Sequence, residues 1–159
     1  MWELRVVRER RAGYGLSGEP ITSSSQVFRA FRERFEKLDR EEFIVILLDG
    51  KGRILGFNSV STGSLTASLV HPREVFKTAI IVVEDELFPR ALFRRAIRSN
   101  SASVILVHNH PSGDPTPSPE DIALTNRLRS AGDLVGIRIV DHVVIGDSRY
   151  VSFVDSGRF

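Results

Sequence analysis

The sequence predicts an α/β fold of one domain, in which helices pack on a sheet. Two apolar runs rich in β-branched residues, Phe43 to Leu48 and Val104 to Val107, have the composition of buried strands. Between Val27 and Leu38, apolar side chains recur at helical spacing, which indicates an amphipathic helix. The 159 residues suffice to bury a substantial core, and 42% hydrophobic with 26% charged residues is the composition of an ordinary soluble protein.

Residues 1–22 are expected to form a strand and turn extension, and the domain proper is expected to span residues 23–159. Residues 2–7 alternate weakly between polar and apolar, as a strand does, and Gly13 to Gly18 supplies a turn. Three serines at 23–25 can cap the helix that follows. The apolar stripe of that helix indicates core packing rather than an aromatic binding platform.

The remaining elements are predicted from apolar runs and the turns between them. A glycine-rich connection at residues 49–52 indicates a hairpin after the first buried strand. The further elements expected are strands at residues 53–61, 66–70, 137–145 and 150–153, and a helix at residues 118–131 that stops at Gly132.

Two histidines follow the Val104 to Val107 strand at alternating positions. Side chains at i and i+2 of a strand leave the same face, so His108 and His110 should point together. Zinc prefers nitrogen and carboxylate ligands at roughly 2 Å, and a catalytic zinc takes three protein ligands while one position stays open for water. The pair supplies two of these ligands, so a metal site here would need a third.

The loop at residues 111–117 contains three prolines and a glycine, so it cannot continue the strand and turns the chain back. Ser118 then has the position of a helix cap, followed by a proline and two acidic residues. Asp121 is the expected third ligand, and Asp114 is a rival that is harder to preorganise in the middle of a loop. A lone H-x-H pair is more often two polar residues at a strand end, whereas the complete string 104–121 favours a metal site.

His108, His110, Ser118 and Asp121 match the H-x-H-x7-S-x2-D pattern of JAMM metalloproteases, also called JAB or MPN+ domains. The surrounding HNHPSGDPTPSPED and the later DHVVIGDSRYVSF resemble the RadC branch of bacterial JAB proteins. The resemblance runs from about Ser23 to Phe153. It implies a mixed, curved sheet flanked by helices, which is the cytidine-deaminase-like architecture of JAB/MPN domains.

The resemblance also implies a zinc-dependent hydrolase that cleaves peptide or isopeptide bonds. One zinc ion would be held by His108, His110 and Asp121, and the fourth position would carry water, whose pKa zinc lowers toward ~7. A glutamate would take the proton of this water and pass it to the leaving amine. Ser118 would help to stabilise the oxyanion of the tetrahedral intermediate.

The family places this glutamate at a helix-to-strand junction just before an apolar strand. Glu41, two residues before Phe43, matches that position and is the expected general base. Glu42 is the alternative, because adjacent strand residues face opposite sides and an error of one residue exchanges them. Standing alone, the two glutamates would indicate a solvated acidic turn. Glu74 is better placed to open a helix, where a negative charge suits the helix dipole.

Residues 71–99 depart from the family pattern, which has one P-R-x-x-F-x-x-A-Ile/Leu helix before the strand that leads to H-x-H. Here the pattern occurs at residues 72–80 and again at 89–97, an offset of 17. We interpret this as a local duplication or insertion, and the distance to His108 favours the second copy as the family's helix. The stretch from residue 81 to 87 is expected to extend a helix, form a surface loop or alter substrate access.

Full-length RadC proteins also carry a helical domain before the JAB domain, and with about forty residues before Glu41 we expect no such tandem arrangement.

Two histidines lie outside the metal pattern. His142, beside Asp141 in a predicted strand, is expected to be a hydrogen-bonded structural histidine. The family pattern includes this Asp-His pair, so a role in orienting the ligands stays open. His71 is expected at the surface or at a helix entry.

Arginine residues support a competing hypothesis. Arg90, Arg94 and Arg98 fall on one face of a predicted helix, and arginine binds phosphate through its bidentate fork. The RadC name is also attached to DNA repair, so the alternative is a nucleic-acid binding module or a zinc nuclease linked to repair. A net charge of only +2 suits a solvated face equally well. A third hypothesis, an interaction scaffold without metal, is disfavoured because all the expected ligands are present.

The composition excludes some other functions. With no cysteine there is no thiolate nucleophile, which favours an activated water as the attacking group. No apolar run approaches the ~20 residues needed to cross a bilayer, and the first five residues lack a signal-peptide pattern. We therefore expect no membrane partner and a cytoplasmic location, while the resemblance to JAMM metalloproteases implies a peptide or protein substrate.

Overall fold

The computed structural model describes residues 19–63, 70–85 and 103–159. Its helices are α1 (Ser24–Phe35), α2 (Pro72–Asp85) and α3 (Pro119–Val135). Its strands are β1 (Glu42–Leu48), β2 (Ile54–Thr62), β3 (Ser103–Asn109), β4 (Arg138–Ile145) and β5 (Tyr150–Ser152).

The five strands form one mixed sheet in the order β2-β1-β3-β4-β5. Strands β3 and β4 pair in parallel, and the other neighbours pair antiparallel. Parallel neighbours need a crossover connection, and α3 supplies it between β3 and β4. The mixed sheet flanked by helices confirms the fold class that the sequence and the resemblance indicated.

Helices cover both faces of this sheet. Alternate side chains of β1 and β3, such as Ile44, Ile46 and Val107, pack with α1 on one face. The intervening side chains, such as Val45 and Leu106, pack with α2 and α3 on the other face. Both faces are buried, which explains the continuous hydrophobic runs of β1, from Phe43 to Leu48, and of β3, from Val104 to Val107.

Helix α1 has the buried face that its sequence predicts. Val27, Phe31 and Phe35 are buried against the sheet, and the Gln26 side chain accepts the backbone N–H groups of Thr22 and Ser23 at the helix start. The helix ends at Phe35 rather than at Leu38, although Leu38 still packs against the same apolar cluster.

The prediction that Gly132 ends α3 was wrong. The helix continues to Val135, and Gly136, with a φ of +74°, is the left-handed residue that ends it. Gly132 instead lies inside the helix, where a Cβ atom would come within 2.5 Å of the Ile137 carbonyl oxygen and 3.2 Å of the Phe76 ring. Its small size lets α3 approach α2 and the start of β4 closely.

Several predicted features lie outside the described residues, namely the extension at 1–18, most of the strand at 66–70 and the second copy of the repeat at 89–97. The first copy lies in α2, which runs as one helix to Asp85, so residues 81–85 extend that helix. Over the described parts of the chain, no helix is both long enough and apolar enough to span a bilayer.

Candidate metal centre

The two predicted histidine ligands lie at the carboxyl end of β3, His108 within the strand and His110 directly after it. His108 is fully buried, and its ring stacks on Phe43 of β1 with a centroid distance of 5.9 Å and an interplanar angle of 11°. His110 follows the strand and is partly exposed. The Nε2 atoms of His108 and His110 are 3.0 Å apart, so the two rings converge as the strand alternation predicts.

The loop after His110 returns the chain to the histidines. It begins with a turn in which the Gly113 N–H donates to the His110 carbonyl oxygen at 2.9 Å, and Gly113 adopts a φ of +82°. Pro115 and Pro117 are buried, which fixes the loop against the domain. The chain then enters α3 with Ser118 as its N-cap.

Asp121 completes the cluster from the first turn of α3. Its Oδ1 lies 3.3 Å from His108 Nε2, and its Oδ2 lies 3.3 Å from His110 Nε2. The ligand atoms of these three residues all lie within 4.8 Å of one another, and the group could hold a metal ion. The structure thus brings together the two histidines and the aspartate within residues 108–121.

Ser118 fixes the orientation of the Asp121 carboxylate. The Ser118 backbone N–H and hydroxyl donate to Asp121 Oδ2 at 2.7 and 2.8 Å, while the Asp121 N–H donates to Ser118 Oγ at 3.1 Å. This reciprocal pair is a capping box, with aspartate in the place of the usual glutamate. The single hydroxyl proton of Ser118 is therefore directed at the carboxylate of this candidate ligand.

The cluster favours a negative carboxylate beside the two rings. Burial alone would raise the pKa of Asp121, but the close contacts of its carboxylate with the His108 and His110 rings outweigh it and hold that pKa far below its usual range. The pKa of His110 is raised, mainly because its protonated form can donate a hydrogen bond from Nε2 to Asp121, and the charge on Glu41 adds to this effect. The site therefore attracts a proton or another cation.

Asp114, the rival ligand, lies outside the cluster. Its Oδ1 accepts the backbone N–H and the hydroxyl of Thr116 at 3.1 and 2.8 Å. Its backbone carbonyl oxygen instead contacts His110 Nδ1 at 2.8 Å. Asp114 thus orients a candidate ligand through its main chain rather than binding through its side chain.

The two candidate bases, Glu41 and Glu42, have different surroundings. Glu42 is 5% exposed and forms a two-pronged ion pair with Arg34 of α1, whose Nε lies 2.9 Å from Oε2. Glu41 precedes β1, is partly exposed and acts electrostatically on His110. The surroundings of Glu41 therefore suit a proton-transfer role better, and the assignment stays a prediction.

The remaining candidate residues lie away from the cluster or outside the described ranges. Glu74 is in the first turn of α2, as its sequence position predicts, and pairs with the neighbouring Arg73 at 3.3 Å. His71 is exposed at the entry to α2, where its Nδ1 accepts the Arg73 N–H at 3.1 Å. The three arginines of the competing hypothesis lie outside the described residues: Arg90, Arg94 and Arg98.

The sequence left the role of His142 open, and the structure places it in contact with the cluster. His142 is fully buried in β4 and its Nε2 lies 2.8 Å from His108 Nδ1. Its other nitrogen, Nδ1, lies 2.6 Å from the hydroxyl of Thr125, a residue of α3 that the sequence did not single out. Burial lowers the pKa of His142 well below the usual histidine value, so the ring is neutral.

The fold and this cluster define the JAB/MPN class of domains, with a mixed sheet between helices and a candidate metal site at the carboxyl end of a central strand. The family model described as RadC-like JAB domain matches residues 21–87 and 82–158. The chain belongs to this RadC-like JAB domain family. The two matched segments overlap at residues 82–87, inside the stretch that we interpret as a duplication or insertion, and that interpretation stays a prediction.

Curated relatives support the same membership. A UPF0758 protein of Geotalea uraniireducens is 50% identical over 139 residues, which cover 87% of this chain and 54% of the relative. A UPF0758 protein of Geobacter sulfurreducens is 46% identical over 142 residues, which cover 89% of this chain and 55% of the relative. A UPF0758 protein of Methanosarcina acetivorans is 47% identical over 137 residues, which cover 86% of this chain and 52% of the relative. The chain thus spans about half the length of these relatives, and their names state no activity.

The turn between β4 and β5 contacts the loop at residues 111–117, which connects His110 to Ser118, and this contact provides a test of the loop's importance. The Asp147 N–H donates to the Gly113 carbonyl oxygen at 3.2 Å, so the turn and the loop touch through main-chain atoms. A Cβ atom on Gly146 would collide with that same carbonyl oxygen and would lie 2.8 Å from Pro115 Cδ.

We expect Gly146→Ala to displace the loop, lower stability by about 1–3 kcal/mol and weaken zinc binding. Thermal unfolding and a zinc titration measure the two effects. Gly50→Ala is the matched control, because a Cβ atom there would meet nothing within 4 Å. Wild-type zinc affinity in Gly146→Ala would contradict the supporting role of this turn.

Proposed function

We propose that this domain is a zinc-dependent hydrolase of peptide or isopeptide bonds. The observation that carries the proposal is the convergence of His108, His110 and Asp121, a set of three ligands that leaves one coordination position for water. Membership of the RadC-like JAB family supports the same chemistry.

The chemistry of the donor set fits zinc. A carbonyl oxygen only accepts hydrogen bonds, so the contact with Asp114 requires that His110 Nδ1 carries a hydrogen. In the neutral ring, His110 Nε2 then presents a lone pair to the cluster. Together with the ionised Asp121 carboxylate, the histidine nitrogens form a set of nitrogen and oxygen ligands. Such a set suits zinc better than it suits magnesium or calcium.

The protein residues divide the work of hydrolysis among them. When bound, zinc would polarise the scissile carbonyl group and lower the pKa of a coordinated water to about 7. Glu41 would take a proton from the attacking water as the new carbon–oxygen bond forms, and would deliver it to the amine as the carbon–nitrogen bond breaks. The second proton of the same water also passes to the nitrogen, so the products are a carboxylate and a protonated amine, and one water molecule balances the reaction in atoms and charge.

Ser118 has two roles in this proposal that compete for one hydroxyl proton. In the described arrangement the proton goes to Asp121 Oδ2, which holds the ligand carboxylate in place. To stabilise an oxyanion, the hydroxyl would rotate toward the substrate. The Ser118 backbone N–H would still hold Asp121 during this rotation, because it donates to the same oxygen.

Metal removal tests the proposed function directly. We expect a strong chelator to abolish cleavage of a panel of fluorogenic peptides and lysine-linked isopeptides, and one equivalent of zinc to restore it. Single- and double-stranded DNA serve as the comparison substrates, because the competing hypothesis predicts binding or cleavage of nucleic acid. Zinc-dependent DNA cleavage without peptide cleavage would replace the proposed function with the nuclease alternative.

A further inference from the structure

A buried chain of hydrogen bonds joins two of the candidate ligands on the side away from the cluster. It runs from His108 Nδ1 to His142 Nε2 at 2.8 Å, and from His142 Nδ1 to Thr125 Oγ1 at 2.6 Å. It ends where the Thr125 hydroxyl donates to the backbone carbonyl oxygen of Asp121 at 2.6 Å. The side chains of His108, His142 and Thr125 are at most 1% exposed, so water does not compete for these bonds.

The contact between Thr125 and Asp121 determines the direction in which the hydrogen bonds of this series are donated. The Asp121 carbonyl oxygen can only accept, so the one hydroxyl proton of Thr125 must point to it. Thr125 Oγ1 must then accept from His142 Nδ1, which therefore carries a hydrogen.

The apolar surroundings of His142 determine whether its Nε2 atom donates or accepts a hydrogen bond. Its ring stacks on Phe153 at a centroid distance of 4.8 Å and meets the edge of Phe43 at 5.5 Å. A doubly protonated ring is unfavourable in such an apolar environment. His142 Nε2 is then an acceptor, so His108 Nδ1 must donate to it, and the lone pair of His108 falls on Nε2, the atom that faces His110 and Asp121.

From this geometry we infer that Thr125 and His142 are positioning residues that hold His108 in the tautomer required for metal binding. The inference rests on the proposed metal site. It assigns a function to the hydroxyl of Thr125, one helical turn after Asp121, and to His142, which is 34 residues after His108. Because the series of hydrogen bonds ends on the backbone carbonyl oxygen of Asp121, it couples the orientation of the His108 ring to the position of Asp121.

The test uses the intact chain and compares Thr125→Val, which removes the hydroxyl at nearly equal volume, with Thr125→Ser, which keeps it. Ser130→Ala is the matched control, because Ser130 lies on the same helix and donates in the same way to the carbonyl oxygen four residues earlier, that of Asn126. Thermal unfolding shows whether each variant folds.

Two readouts separate positioning from simple stabilisation. The first is the tautomer of His108 in metal-free protein, measured from its side-chain nitrogen shifts by NMR at a pH where the rings are neutral. We expect hydrogen on Nδ1 in the wild type and in Thr125→Ser, and a mixture of tautomers in Thr125→Val. The second is zinc affinity by competition with a chromophoric chelator, which we expect to fall about 10- to 100-fold in Thr125→Val alone.

Either of two results would overturn the inference. One is a wild-type His108 with its hydrogen on Nε2, and this measurement stands even when Thr125→Val does not fold. The other is a folded Thr125→Val protein with wild-type tautomer and zinc affinity. A wild-type protein that binds no zinc would refute the proposed function instead, while the NMR measurement would still decide the direction of the chain.

Discussion

Replacing Glu41 with glutamine is expected to lower kcat for peptide or isopeptide hydrolysis by about 10²- to 10⁴-fold, the usual contribution of a general acid–base residue. Glutamine keeps the shape of the side chain but cannot accept the proton of the attacking water. The three candidate ligands are untouched, so one zinc ion should remain per chain. Initial rates and zinc content measured on the same preparation separate loss of chemistry from loss of metal.

The neighbouring Glu42→Gln is the control for this experiment. Glu42 is buried and paired with Arg34, so the neutral amide should lower the free energy of unfolding by about 1–3 kcal/mol. The kcat of the folded fraction should stay close to wild type. The reverse pattern, in which Glu42→Gln loses turnover and Glu41→Gln keeps it, would move the base assignment by one residue.

Asp121→Ala is expected to reduce zinc from one ion per chain to a trace, and to remove hydrolysis with it. The substitution deletes the only carboxylate among the three clustered ligands and leaves His108 and His110 with an incomplete set. Elemental analysis of wild-type and variant protein, purified side by side after zinc supplementation, provides the measurement.

Two further variants test whether the charge of Asp121 is needed and whether Asp121 rather than Asp114 is the ligand. Asp121→Asn keeps an oxygen that can accept from Ser118 but lacks the charge, so it should preserve the helix cap and still lose zinc. Asp114→Ala removes the rival carboxylate, which is bound to Thr116 instead of facing the cluster, and should retain zinc. Loss of zinc in Asp114→Ala with retention in Asp121→Ala would reverse the ligand assignment.

The grouping of His108, His110 and Asp121 could be predicted from the sequence because it follows from the local geometry of one strand and one helix start. Strand alternation places His108 and His110 on one side, and a helix that begins at Ser118 places Asp121 in its first turn. These rules also gave the buried strands around β1 and β3 and the core face of α1. Each inference needed only residues close together in the chain.

Contacts between distant residues were not readable in this way. The sequence could not separate Glu41 from Glu42, because their positions differ by one residue, whereas the ion pair of Glu42 with Arg34 distinguishes them in the structure. Likewise, Gly132 and Gly136 both carry the local signal of a helix end, and only the close packing of Gly132 against Ile137 and Phe76 shows that the helix continues past it to Gly136.

The contact between His142 and His108 depends on an irregularity of the sheet. Val104 pairs with Ile139, but the next residue, Ile105, pairs with Asp141, so β4 carries one extra residue at this point. Without this bulge, strand alternation would turn His142 to the opposite face from His108. A one-residue irregularity thus brings His142 beside His108.

The three candidate ligands lie within residues 108–121, whereas Glu41 comes from the start of a different strand. Under the proposed function, metal binding and turnover therefore depend on separate parts of the gene and can diverge independently. If the proposal holds, a single substitution at Glu41 would leave an inert domain that keeps the proposed ion, and drift in the 108–121 stretch would then remove that ion as well. This order of losses offers a short evolutionary route from an ancestral hydrolase to a non-enzymatic scaffold with the same fold.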